Sequence, residues 1–122
     1  MLKGAFVKNT PFVGVTVAWN QAVQNPVFIL DTGFTGDLQV TPKIAQELGL
    51  EVIAVTPITI ANGQTVQMQT ALAIAAMEGA TNYVTVQISD SMPLAGIGLL
   101  TKFNYKTIVD CKYRTITLER VN

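Results

Sequence analysis

A single acidic residue ends the most apolar stretch in the first third of the chain. The run Val27–Leu30 leads directly into Asp31, Thr32 and Gly33. An ionised carboxylate buried alone is costly, so such an acid needs hydrogen bonds or a shared proton. Thr32 offers a hydroxyl, and Gly33 permits a tight turn that brings its N–H to the carboxylate. Two carboxylates that share one proton can act as general acid and general base.

Composition restricts the available chemistry to carboxylates, lysines and tyrosines. The 122 residues include no histidine and one cysteine, Cys111. Ser–His and Cys–His nucleophilic pairs are therefore excluded, and so are histidine-based metal sites and thiolate clusters. No phosphate-binding glycine motif occurs. We therefore expect no cofactor and no bound metal, and we interpret Cys111 as an inert thiol.

The overall composition predicts one domain, spanning residues 1–122. The chain is 49% hydrophobic and 13% charged, with a formal net charge of zero. These values do not fit a disordered chain, and no basic stripe is available for nucleic acid. No apolar run approaches the span of a bilayer, and the first residues lack a signal-peptide pattern. We expect a cytoplasmic protein without nucleic-acid or membrane partners, part of whose apolar surface another subunit covers.

Short β-type runs separated by turn residues predict an all-β fold with one or two short helices. Phe12–Trp19 has β-branched residues in partial alternation, residues 20–26 read as the connecting loop, and Val27–Leu30 suggests a strand buried on both faces. A helix is predicted to follow, with Thr41 as its N-cap and Gly49 as its end.

The second half of the chain predicts a hairpin, a strand, a short helix and a final hairpin. Asn62-Gly63 separates two alternating runs within Ile58–Ala73, which is a strong hairpin signal. Tyr83–Ile88 alternates as a strand does. The apolar, glycine-rich segment Leu94–Leu100 leads into a short helix, which we predict to begin near Gly98. A hairpin of residues 105–109 and 115–118 completes the predicted elements.

Four of these features, in this order, resemble the retropepsin-like aspartic proteases, in particular the small single-domain prokaryotic type with one DTG motif per chain. They are the apolar strand entering Asp-Thr-Gly, the helix TPKIAQELGL, the hairpin tip ANGQT and the segment LAGIGLL. Together the four matching features cover roughly residues 12–118, which is most of the chain. It implies a retropepsin-like acid-protease half-barrel.

The resemblance also implies which residues form the site. Asp31 is the implied catalytic residue. Apolar pockets are expected from Phe34, Leu38, Ile60 or Ile97, and Asp37 is interpreted as a solvated turn residue. The remaining implied positions are the active-site loop support Thr32, Gly33 and Thr35, the flap residues Ala61, Asn62, Gly63 and Gln64, and the second motif Gly96, Ile97 and Gly98.

Two positions depart from the family pattern. Gly98 stands where relatives often have Asp or Asn, which removes a polar side chain near the loops. Phe34 replaces a commonly small residue after the DTG and is bulky enough to narrow or line a cleft. Both departures bear on activity more than on fold.

One DTG per chain supplies only half of a proton-sharing pair, so the second carboxylate must come from another copy. The sequence therefore predicts a homodimeric aspartic endopeptidase, in which Asp31 of both subunits activates water against a peptide or protein substrate. One alternative is a catalytically inactive retropepsin-fold dimerisation or peptide-binding module. Another is a generic small β-barrel in which the DTG is accidental and Asp31 points to solvent.

Overall fold

Twelve β-strands and two short helices make up the structure, a computed structural model that describes residues 1–122. The predicted all-β fold with one or two short helices is therefore confirmed. The elements are β1 (Leu2–Val7), β2 (Thr10–Gly14), β3 (Thr16–Trp19), β4 (Ala22–Gln24), β5 (Val27–Leu30), β6 (Leu38–Val40), α1 (Pro42–Leu48), β7 (Val52–Thr59), β8 (Thr65–Met77), β9 (Ala80–Ile88), β10 (Leu94–Ala95), α2 (Ile97–Lys102), β11 (Tyr105–Asp110) and β12 (Thr115–Arg120).

The strands form one mixed sheet whose centre brings distant segments together. Its order is β11-β12-β1-β2-β5-β10-β6-β9-β8-β3-β4, and β7 pairs with β8. The two-residue strand β10 lies between β5, to which it is parallel, and β6, to which it is antiparallel. The loop of residues 31–37, which joins β5 to β6, therefore passes the end of β10. This arrangement places Asp31 beside the start of α2.

The core is built from side chains at every second position of the strands. Along β8 the side chains at positions 71, 73, 75 and 77 are buried, while their neighbours are only partly covered. Successive strand residues point to opposite faces, so this pattern commits one face of β8 to the interior. The core cluster comprises Val13, Val15, Val17, Phe28, Leu30, Leu38, Val40, Ala45, Leu48, Ala73, Ala75, Met77, Val84, Val86, Ala95, Leu99, Leu100, Phe103, Ile116 and Leu118.

Helix α1 has the termini that its sequence predicts. The Thr41 hydroxyl accepts a hydrogen bond from the N–H of Ile44 at 3.3 Å, which satisfies one of the free amides of the first turn. Gly49 ends the helix in the left-handed conformation at φ 68°, where glycine carries no steric penalty. Ala45 and Leu48 form the buried side.

The β-type run Phe12–Trp19 lies in β2 and β3. Two expectations for the N-terminal half are wrong. The expected loop of residues 20–26 contains β4, which pairs with β3. The strand Val27–Leu30 is not buried on both faces, because Val27 is 57% exposed while Phe28 is fully buried. Only the face that carries Phe28 and Leu30 packs on the core, so an unbroken apolar run here marks a strand with one covered face.

The predicted hairpin forms an arm with no buried residue. No side chain between positions 52 and 70 is buried, although β7 and β8 pair along seven register positions. The arm is therefore held by strand pairing rather than by core packing. No helix in the structure combines the length and apolar character that crossing a bilayer requires.

Candidate active site

Asp31 lies immediately after β5, and its backbone is fixed on both sides. Its N–H donates to the carbonyl of Ala95 at 3.0 Å, which extends the β5–β10 pairing by one residue. Its own carbonyl accepts from the N–H of Phe34 at 3.1 Å, closing a tight turn. The residue is half-buried. The acid is therefore held at a defined point of the sheet with one side accessible.

The Asp31 carboxylate accepts one hydrogen bond, from the N–H of Gly33 to Oδ1 at 2.9 Å. The expected contact between this amide and the carboxylate is therefore confirmed. A Cβ at position 33 would lie 3.2 Å from the same oxygen, which is tighter than most real contacts. Thr32 and Thr35 are exposed, and neither hydroxyl forms a hydrogen bond to Asp31. The hydroxyl support expected from Thr32 is thus absent within one chain.

The second motif is bound to the loop of residues 31–37 by backbone hydrogen bonds. Ile97 N–H donates to Phe34 O at 2.9 Å, and Gly98 N–H donates to Gly36 O at 3.0 Å. The N–H of Gly96 adds a third bond to this loop at 3.0 Å. A Cβ on Gly96 would overlap the carbonyl of Gly36. The two motifs that the sequence singled out therefore form one rigid double loop, and glycine at position 96 is required for their approach.

The expected flap residues form the tip of the β7–β8 arm. Ile60 N–H donates to Gln64 O and Gly63 N–H donates to Ile60 O, both at 2.9 Å, which closes a three-residue loop. Gly63 takes the left-handed conformation at φ 85°, as the third residue of such a loop does. The Asn62 side chain accepts from Gln64 N–H at 2.9 Å. No hydrogen bond joins this tip to the loop of Asp31.

Two solved structures share this arrangement of strands. A retropepsin-like aspartic protease from Rickettsia conorii superposes with a TM-score of 0.64 at 18% identity, covering 98% of this chain and 89% of that chain. EIAV protease complexed with the inhibitor HBY-793 also gives 0.64, at 17% identity, covering 84% of this chain and 95% of that chain. The fold is retropepsin-like. No family model and no curated protein matches the chain. The resemblance inferred from the four sequence features is confirmed at the level of fold.

The expectation that Asp37 is a solvated turn residue is wrong. Asp37 is buried, with only 6% of its surface exposed. Its Oδ2 accepts from the N–H and hydroxyl of Thr85, at 2.9 and 3.2 Å, and contacts Lys102 Nζ at 2.6 Å. Its Oδ1 occupies the space that a Cβ on Gly98 would need. A buried carboxylate in this position is stabilised by its cation and hydrogen bonds.

This ion pair explains the departure at Gly98. The Asp37 carboxylate enters from the neighbouring loop and fills the volume beside position 98, so a larger residue there would collide with it. Asp37 and Lys102 stand 65 positions apart in sequence, and no local pattern links them. The one available signal was the missing side chain at Gly98, which leaves room for another polar group.

Phe34 lies across the double loop. Its ring atoms come within 2.5 Å of a Cβ built on Gly36 and 2.6 Å of one built on Gly96. The two glycines therefore accommodate the ring, which is half-buried. Of the other expected pocket residues, Leu38 is fully buried in the core, so that expectation is wrong, whereas Ile60 and Ile97 are 39% and 40% exposed.

A concave surface of about 640 Å³ borders the exposed Thr32. It lies along α2 and the outer side of β11. Its lining residues are Thr32, Ile97, Leu100, Thr101, Asn104, Tyr105, Lys106, Thr107 and Val121.

A polar cluster holds Tyr105, at one end of this concavity. Its hydroxyl donates to Glu78 Oε1 at 2.8 Å, and the amino group of Met1 contacts Glu78 Oε2 at 2.7 Å. Burial, together with the hydrogen bond to the Glu78 carboxylate, raises the pKa of Tyr105 to about 12. The hydrogen bonds from the Met1 amino group and from Tyr105 lower the pKa of Glu78. The cluster ties the N-terminal amino group and the start of β11 to the β8–β9 turn.

Proposed function

We propose that this chain is an aspartic endopeptidase that acts as a homodimer of one domain per subunit. The observation that carries the proposal is the state of Asp31. It is an accessible, half-buried carboxylate, held by the Gly33 amide in a rigid double loop. The retropepsin-like fold supports it, because the comparison structures with this fold are named as proteases.

The second carboxylate is proposed to come from another subunit because the chain offers none at the loop. Asp37 is the other acid of this segment, and it is buried and paired with Lys102 at 2.6 Å. Its oxygens face Lys102, Thr85 and the space beside Gly98, so this carboxylate is not placed to pair with Asp31. A two-fold axis between two copies would bring Asp31 against its own mate, as isologous interfaces do.

The proposed reaction follows from a pair of carboxylates with one proton. The ionised Asp31 takes a proton from water while the water oxygen attacks the peptide carbonyl carbon. The protonated Asp31 of the other subunit donates its proton to the carbonyl oxygen. The Asp31 that took the proton from water passes it to the nitrogen, and the other Asp31 recovers a proton from a hydroxyl of the tetrahedral intermediate. The C–N bond then breaks, which releases an amine and a carboxylic acid.

The remaining expected site residues receive supporting roles in this proposal. Thr32 hydroxyls brace the two loops across the dimer, and Thr35 adds a polar group beside them. The tip Ala61–Gln64 closes over an extended peptide whose backbone pairs with the arm, a form of β-augmentation. Exposed Ile60 and Ile97 offer apolar contacts to its side chains.

The deciding experiment replaces Asp31 by Asn. We expect cleavage of an unstructured protein substrate to fall by at least about 10²–10⁴-fold, the usual contribution of a general acid–base group. The oligomeric state should be unchanged, because Asn has almost the same shape as Asp. Asp90→Asn, at an exposed loop position, is the matched control and should retain full activity. Unchanged cleavage by the Asp31 variant would rule out the proposal.

A further inference from the structure

The turn between β1 and β2 lies at the same end of the sheet as Asp31. In the antiparallel pairing of β2 with β5, Phe12 lies opposite Ile29. Continuing this register by two residues places Thr10 level with Asp31. The turn of residues 8–9, which joins β1 to β2, therefore lies beside the loop of Asp31. Neighbouring strands are about 4.8 Å apart, so this turn is within about 10 Å of Asp31.

A second turn, of residues 111–114, is bound to the first. Arg114 joins the two turns, because its guanidinium group donates to Lys8 O and, at 3.3 Å, to Asn9 Oδ1. The same group lies 5.2 Å from the centroid of the Phe6 ring, which is a favourable cation–π distance. These contacts fix the two turns relative to each other and leave other N–H groups of the guanidinium free to donate.

The two turns carry cations that have no carboxylate partner. Lys8, Lys112 and Arg114 are all exposed, and the two ion pairs of the chain involve none of them. The one acid beside these turns is Asp110, whose Oδ1 accepts the backbone N–H groups of Lys112 and Tyr113 at 3.0 and 2.9 Å. Positive charges therefore outnumber negative ones here. The three cations are termed the cationic rim.

The arm of β7 and β8 adds no charge that could balance the rim. Residues 52–77 include no Asp, Glu, Lys or Arg. A group of charges of one sign that its neighbours do not balance attracts ligands of the opposite sign. A peptide held between the loop of Asp31 and the arm would therefore meet the positive field of the rim without compensation from the arm.

We propose that the cationic rim selects peptides that carry Asp or Glu on the flanks of the cleaved bond. The inference rests on the proposed function and names the substrate class of the same site. An extended peptide advances about 3.3 Å per residue, so Lys8 would meet an acid about three residues from the cleaved bond. Arg114, one strand further out, would meet an acid about one or two residues beyond that. Two-fold symmetry repeats the rim on the other flank.

The rim offers two kinds of contact to a carboxylate. The Lys8 ammonium group is a point charge on a flexible stem, whereas the Arg114 guanidinium is planar and already held in place by the turn. Charge-assisted hydrogen bonds from either group favour a carboxylate over an amide of the same shape. Because both groups are exposed, each contact is weak and is screened by salt. We therefore expect a combined preference of about fivefold or more at low salt.

Peptide binding to the Asp31→Asn variant tests the inference without cleavage. Fluorescein-labelled peptides share one apolar centre and carry Glu, Gln or Lys about three to five residues from it on both sides. Fluorescence anisotropy at about pH 6, where Glu is ionised, gives the dissociation constants. We expect the Glu peptide to bind about fivefold or more tightly than the Gln peptide in about 10 mM salt, and the difference to disappear in about 0.5 M salt.

Charge reversal assigns the preference to the rim. Adding Lys8→Glu to the Asp31→Asn variant should shift the preference from the Glu peptide to the Lys peptide. The turn should accept this change, because Lys8 has φ 54° and Glu78 adopts φ 50° in the same chain. Lys43→Glu, at an exposed position on α1, is the matched control and should leave the order of the affinities unchanged. Arg114 is kept, because it also anchors the turn.

The outcomes separate this inference from the proposed function. A preference for the Glu peptide that Lys8→Glu reverses supports the cationic rim even when the wild-type chain cleaves nothing, a result that would contradict the protease proposal alone. Equal affinity for the Glu and Gln peptides, a preference that Lys8→Glu leaves unchanged, or no binding of any peptide overturns the inference. Cleavage of the Glu and Gln peptides at equal rates by the wild-type chain also overturns it and leaves the proposed function standing.

Discussion

At the residue scale, the two acids of the loop of residues 31–37 have different environments. Asp31 keeps an accessible side and one hydrogen bond from Gly33, whereas Asp37 is buried against Lys102 and Thr85. The sequence predicted the first because its determinants, the apolar strand and the glycine, are adjacent to it. The second was missed because its partners come from β9 and α2. A solvated turn and a buried ion pair look alike in sequence when the cation is remote.

Asp37→Asn should destabilise the fold by about 1–3 kcal/mol, the cost of weakening charge-assisted hydrogen bonds at a buried acceptor. The value lies below that of a fully buried ion pair because the Lys102 side chain is 40% exposed and regains solvation. Urea unfolding monitored by circular dichroism measures the change, with the exposed Asp90→Asn as control. Equal stability of the two variants would show that the Asp37–Lys102 pair contributes nothing.

Tyr105 should make the stability depend on alkaline pH. Its pKa is about 12 in the fold against an ordinary value of 10, so between these values the folded chain binds more protons than the unfolded one. Stability is therefore fully present below about pH 10 and declines as pH rises toward 12. Tyr105→Phe should flatten this decline, whereas Tyr113→Phe, at a 70% exposed position, should not. Parallel alkaline profiles for the two variants would contradict this account.

At the element scale, helix ends and turns could be predicted from the sequence, whereas pairings between distant strands could not. Helix α1 is limited by Thr41 and Gly49, and the arm turns at Asn62-Gly63, because these residues act on their own backbone. Residues 22–24 have a loop-like sequence because the strand β4 that they form depends on pairing with β3. Likewise β10 has only two residues, and its position between β5 and β6 is set by the sheet. Edges and short strands follow from topology, which periodicity does not encode.

Alanine substitutions at two glycine turns with similar positive φ should have different effects on the unfolding of the chain. Gly63 and Gly79 have φ of 85° and 79°, and nothing lies within 4 Å of a Cβ at either. Alanine at each position should cost about 1–2 kcal/mol locally. Gly79 joins β8 to β9, whose pairing includes buried core residues, so Gly79→Ala should lower the free energy of global unfolding. Gly63→Ala should mainly speed amide hydrogen exchange in the unpacked arm.

Urea unfolding and hydrogen exchange on both variants decide this comparison. An equal loss of global stability in the two would show that the arm unfolds together with the core. That result would also weaken the proposal that the arm moves as a flap, since such movement requires local independence.

At the scale of the whole molecule, the proposed function makes each active site depend on two copies, because the chain offers one accessible acid, Asp31, in the loop of residues 31–37. If two copies share one site, an inactive subunit should inactivate its partner. Equimolar Asp31→Asn, after subunit exchange, should therefore lower the activity of a fixed amount of wild-type chain to about half, because random pairing under two-fold symmetry halves the wild-type dimers. Full activity after verified exchange would mean that each chain works alone, in which case Asp31 would have to act without its mate.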